Sequence, residues 1–190
     1  MMPAMDTIEV GDFKRYCGPV ALADVLGITC ETAARLLLGI QRNRGLVTAP
    51  GTDEIDLVLC LDMYGAGAER FDPSTGVRLE TAAECIERAR LTPPHTMYSQ
   101  AEIHTAVQAV IDASPAAEQS RLSEYFRRRH DGKPLLGEWM DRMDGVWLIC
   151  VENDCWGHWI ALDDHAIDVR DAEYRNCPTT WALRVIREHT

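Results

Sequence analysis

Val146-Trp-Leu-Ile-Cys-Val151, Gly157-His-Trp-Ile-Ala-Leu162 and Ala166-Ile-Asp-Val-Arg170 follow one another in the last third of the chain. The first is a short apolar run of the buried-strand kind, and the other two carry strand-like spacing. Turns at 152–157 and 163–165 join them, so this part reads as an antiparallel meander. Working outward, the preceding residues read as helices. Cys17 to Gly27 carries apolar residues at Val20, Leu22, Val25 and Leu26, with Pro19 in a first turn and a Gly where a helix stops. Further helices are expected over 31–39, over 52–65 with Thr52 as N-cap, over 78–90, over 100–113 with the stripe Ile103, Val107, Val110 and Ile111, and over 118–130. Helices first and an antiparallel sheet after them define an α+β class and exclude alternating βαβ units. The chain is expected to form one domain over 1–190. Residues 12–65 would be a helical lobe opened by the Cys17 helix, 66–133 a helical elaboration, and 134–190 the sheet.

The 190 residues are 46% hydrophobic and 26% charged, a globular composition with a core to bury. A net charge of −11 repels a phosphate backbone, and the one dense basic run, Arg127-Arg128-Arg129, reads as a solvated helix face, so no nucleic-acid partner is expected. No stretch approaches the ~18 apolar residues that cross a bilayer, and Met1 to Val10 has no signal-peptide character. No membrane partner is expected. The seven cysteines are odd in number and lack a repeating frame, which suits reduced thiols in a cytoplasm. No internal repeat is visible.

The chemistry centres on Cys17. A thiolate, not a thiol, is the nucleophile, and a helix N-terminus with its unpaired N–H groups favours the anion. A nearby histidine can hold the proton. The same N–H groups can meet an oxyanion, and Gly18 is expected to leave room for a substrate carbonyl. Of the six histidines only His158 opens a strand that follows a glycine turn and precedes a strand with acidic residues. On that return strand an acid can orient the imidazole. A two-residue turn at Asp164-His165 sets Asp171 opposite His158, whereas a three-residue turn brings Asp168 diagonal to it. Asp168 is the preferred orienting acid.

These residues carry a resemblance. Tyr16-Cys-Gly-Pro-Val-Ala-Leu-Ala23 resembles the nucleophile motif of papain-like cysteine peptidases, especially the bacteriocin-leader-processing type and short bacterial and phage relatives. Gly157-His-Trp-Ile-Ala-Leu162 with Ile167-Asp168 is similar to their Gly-His-aromatic and later Asp motif, and Pro134 to Ile149 resembles the helix, Gly turn and strand before it. The resemblance spans residues 12–65 and 134–171. It implies a papain-like fold and a cysteine peptidase or amidase acting through an acyl-thioester. Cys17 would be nucleophile, His158 general base and Asp168 orienter, with no cofactor and no metal. The substrate would be a peptide or another amide, such as a host or phage protein, and a phage-encoded member could sit in a virion. The chain departs from the family's oxyanion-hole Gln, because Gly11-Asp-Phe-Lys14 occupies that neighbourhood. The alternative is a papain-like fold kept as a binding or structural module.

Plainer readings accompany these. Cys60, Cys85 and Cys150 sit among apolar neighbours and read as core. Cys150, Cys155 and His158, with Cys177, offer zinc ligands, but without the paired knuckles of structural zinc sites. Trp147, Trp156 and Trp159 read as packing around the sheet, and the last two could wall a substrate groove.

Overall fold

The computed structural model of the chain describes residues 9–45, 51–92, 109, 115, 132–153, 156–163, 166–167 and 169–187. A 3-10 helix, Gly11–Arg15, leads into α1 (Cys17–Leu26), α2 (Cys30–Asn43) and α3 (Glu54–Met63). Two strands follow, β1 (Ala66–Phe71) and β2 (Arg78–Glu80), then α4 (Ala82–Leu91). After the short α5 (Leu136–Met140) come β3 (Val146–Asn153), β4 (Trp156–Asp163), β5 (Ala166–Ile167), a second 3-10 helix (Val169–Asn176) and β6 (Thr179–Arg187). The fold is a mixture of helices and one antiparallel sheet, as expected from the order of periodicities.

Local chemistry sets the helix ends. Thr29 accepts from Thr32 N at 3.1 Å and caps α2. Thr81 and Glu84 form a reciprocal capping box at α4. Asp53, not the expected Thr52, caps α3, its carboxylate taking Asp56 N at 2.7 Å. Gly27, at φ 66°, closes α1 in the left-handed conformation that a β-carbon disfavours.

The sheet runs β2-β1-β6-β3-β4-β5. Its register alternates side chains between two cores. Ala66, Ala68, Leu148, Cys150, Trp159, Leu183 and Val185 point to one face and pack with α1 to α4. Trp147, Ile149, Val151, Ile160, Leu162 and Ala182 point to the other and pack with Leu136, Trp139 and Met140 of α5. Among the described residues no helix is long and apolar enough to cross a membrane.

Three expectations change. Residues 66–71 and 78–80 are strands β1 and β2, where helical elaboration was expected. The helical spacing over 78–90 holds only after the Thr81 cap, and Arg78–Glu80 pairs with β1 instead. The expected third strand, Ala166 to Arg170, stops at Ile167 and passes into the second 3-10 helix. What remains of it keeps the expected place beside β4, while the other side of β3 is taken by β6, which also pairs along the whole of β1. The expected helices over 100–113 and 118–130 lie outside the described residues, apart from the single position Ala109, which is helical.

Candidate active site

Cys17 is the first residue of α1 and half-buried. Tyr16 precedes it in extended backbone, φ −75° and ψ 154°, and its carbonyl accepts from Val20 N at 3.1 Å, which starts the helical ladder. Phe13 is buried and meets Tyr16 edge-on at 5.4 Å, fixing the entry of the chain. Tyr16 gives no side-chain cap, and the first turn of α1 holds no acidic residue. The first turn itself therefore supplies no carboxylate to neutralise the positive end of the helix.

His158 is the third residue of β4, paired opposite Val151 of β3, and is half-buried. Opposite residues of an antiparallel pair share a face, so His158 leaves the sheet on the side of Val151 and Ile160. Its ring stacks on Tyr174 at 4.2 Å between centroids and 14° between planes. Trp159, the next residue, points the other way and lies under α1, 5% exposed. That position removes Trp159 from any groove wall; the side chain of Trp156 lies outside the described residues. Cys17, on α1, thus lies on one side of the sheet, and the His158 ring leaves β4 on the other. β5 pairs only with Leu162 and Asp163, so the outer edge of β4 at His158 is not covered by β5.

The partners Leu162↔Ile167 and Asp163↔Ala166 correspond to the two-residue connection, the register that favours Asp171 over Asp168. The strand ends before either acid. Asp168 lies outside the described residues. Asp171 has its backbone in the second 3-10 helix, which carries Tyr174 back to the imidazole.

Cys150 links the two elements. It is buried on the α1 face, and its thiol is pushed up to about 12, by burial first. The neighbouring Cys17 and Glu152 add to the rise, while Thr180 and the backbone of His158 oppose it. Cys17, Cys150 and the His158 main chain are therefore neighbours. A β-carbon on Gly157 would stand 3.1 Å from Cys150 Sγ, so the glycine before the histidine admits this thiol. Glu152, 7% exposed, lies 3.9 Å from Lys133 Nζ.

Thr52 sits against the start of α1. A β-carbon on Gly18 would lie 2.0 Å from Thr52 Oγ1, so the space beside Gly18 is filled by Thr52 and not held open for a substrate carbonyl. The Thr52 carbonyl accepts from Trp159 Nε1 at 2.9 Å. The residues flanking it are fastened as well. Gln41 Nε2 donates to Gly51 O at 2.7 Å and to Asp56 Oδ2 at 2.8 Å. Arg44 binds both oxygens of Asp53, at 3.1 and 3.0 Å, and also Asp56. Burial, then the charge of Asp53, raises the Asp56 carboxyl to about 6 against the pull of Gln41 and Arg44.

Among the described residues the zinc ligand set is not brought together. Cys150 packs in the first core and Cys177 against the second, and Cys155 lies outside those residues. Sequence reading missed Thr52 as a neighbour of Cys17, and missed Tyr174 and Glu152 entirely. A threonine in a Gly-Thr-Asp turn carries no signal beyond capping, and a tyrosine in a polar segment carries none. No family model matches the chain, and comparison with curated proteins and with solved structures gives no match.

Proposed function

We propose that the chain is a cysteine hydrolase of papain-like architecture, a peptidase or amidase, with Cys17 as nucleophile and His158 as general base. One observation carries the reading: Cys17 opens α1, whose first turn holds no acidic residue, and that helix packs on the strand that bears His158. The Cys17 thiolate attacks the amide carbonyl carbon, its proton having passed to the imidazole. The oxyanion forms beside the unpaired N–H groups at the start of α1. Collapse breaks the C–N bond, and the leaving amine takes the proton from His158. Water, deprotonated by the same ring, then hydrolyses the thioester. The orienting role is proposed for an acid after β5, Asp168 or, in the observed register, Asp171, and the ring would reach Cys17 around the edge of β4 that β5 does not pair. A net charge of −11 suits a neutral or basic substrate. The free cysteines suit a reducing cytoplasm, or a virion for a phage-encoded chain.

A second reading is a papain-like module without turnover. The stacking of His158 on Tyr174, on the face opposite α1, favours it, as does the absence of the Gln. Alkylation of the native protein with iodoacetamide at pH 7, followed by peptide mapping, separates the two. Cys30 and Cys177 are half-buried like Cys17 and serve as internal references. The hydrolase predicts Cys17 labelling about 10-fold or more above both, lost in His158→Ala. Equal rates at the three thiols support the module.

A further inference from the structure

Gly18 follows Cys17, and Trp159 follows His158. Thr52 touches both. From the position a Gly18 β-carbon would take, Thr52 Oγ1 is 2.0 Å away, Cβ 2.4 Å and Cγ2 2.8 Å, so the contact exists only because residue 18 has no side chain. On its other side the Thr52 carbonyl receives the indole N–H of the nearly buried Trp159 at 2.9 Å. Gln41 on Gly51 and Arg44 on Asp53 hold the turn from both ends, so Thr52 cannot drift away from either contact. The Thr52 hydroxyl is buried and has no partner among the described residues. A buried hydroxyl without a partner lowers stability, so stability alone does not account for threonine at this position.

We infer that Thr52 is a positioning residue of the Cys17–His158 pair, a clasp that fixes the start of the nucleophile's helix against the strand of the base. This rests on the hydrolase reading above. Proton transfer between thiol and imidazole tolerates little displacement, since a shift of about 1 Å at a reacting group can cost 10²-fold in rate. The clasp sets that spacing through the residue after each partner and touches neither reacting atom.

The test compares wild type with Trp159→Phe, which removes the indole donor and keeps a ring, with Thr52→Gly, which removes the wedge, and with Thr52→Ser, which keeps Cβ and the hydroxyl. Carbamidomethylation by iodoacetamide is followed at Cys17 at pH 6 and pH 9 by peptide mapping, with Cys30 and Cys177 as references and circular dichroism as the check on folding. A coupled Cys–His pair keeps reacting at pH 6, where an ordinary thiol does not. Trp159→Phe and Thr52→Gly are expected to lower the pH 6 to pH 9 labelling ratio of Cys17 by about 10-fold or more. The ratios at Cys30 and Cys177 stay constant, and Thr52→Ser stays near wild type. Folded variants whose Cys17 profile matches wild type overturn the clasp and leave the hydrolase standing. If Thr52→Gly does not fold, Trp159→Phe alone decides. Wild-type Cys17 labelling no faster than Cys30 and Cys177 overturns the hydrolase, and the clasp with it.

Discussion

The two faces of the sheet are built by different means. The face that receives α1 to α4 combines a large apolar core with partly buried ionic networks. Arg44 joins Asp53 and Asp56, and Arg88 joins Glu54 at 2.7 Å and Glu80 at 2.8 Å. The opposite face is covered by α5 and the second 3-10 helix and is held by apolar and aromatic packing. Trp139 meets Trp147 edge-on at 5.3 Å, and Phe71 meets Trp147 at 5.0 Å. Apolar contact is non-directional and tolerates sliding, whereas buried ion pairs and their hydrogen bonds demand one geometry. The face that carries Cys17 is thus the one whose elements are fixed in register, and the face that carries the His158 ring is a cover.

The largest effect should come from the cover. Trp139→Ala is expected to cost about 3–5 kcal/mol, measured by urea unfolding. Trp139→Phe should cost less than about 1.5 kcal/mol, because the buried indole N–H has no partner among the described residues. A small loss in Trp139→Ala would break the contrast, since the cover would then not depend on its aromatic contacts.

The ionic face should show itself through pH. The folded Asp56 carboxyl, at about 6, lies above its ordinary 3.8, so between these values the folded chain holds a proton that the unfolded chain releases. Its contribution therefore falls as pH rises from about 4 to about 6 and is constant above. Asp56→Asn should remove that slope, a change of at most about 3 kcal/mol between pH 4 and pH 7. Subtracting the two pH–stability curves isolates it from Glu54, which burial shifts the same way. A difference curve flat through this window would show that Arg44 and Gln41 offset the burial fully. The smallest effect belongs to the His158–Tyr174 stack. Tyr174→Ala should lose about 0.5–1.5 kcal/mol relative to Tyr174→Phe, which keeps an aromatic face. Equal stabilities would leave the ring without a fixed plane.

What the sequence revealed follows the range of the interactions. The start of α1 at Cys17, its Gly27 stop and the β3–β4 pair are set by neighbours in the chain, and periodicity and turn chemistry exposed them. β1 was hidden because Ala66-Gly-Ala-Glu-Arg-Phe71 has no β-branched residue and becomes a strand only by pairing with β6, far along the chain. The end of β5 at Ile167 was hidden because Val169 looks like a strand residue, while the 3-10 helix that contains it packs its Tyr174 on the second core. At the candidate site, Cys17 and His158 were visible from their motifs. The face from which His158 leaves the sheet depends on a register, and the Thr52 contacts on a fold.

The place of β6 has a consequence for how this chain reaches its structure. Thr179–Arg187 lies between β1 and β3, so the strand made last among the described ones is central in the sheet. Until it is synthesised, β1–β2 with α1 to α4, and β3–β4 with α5, are two pieces with no strand between them and an open edge on each. Ala66 must find Arg187 across most of the chain, a closure of long loops that precedes its reward and slows the search. Two half-sheets with bare inner edges also present templates for pairing with other chains. Folding of this molecule is therefore governed by the arrival of one late strand, and its exposure to misassembly lasts until that strand docks.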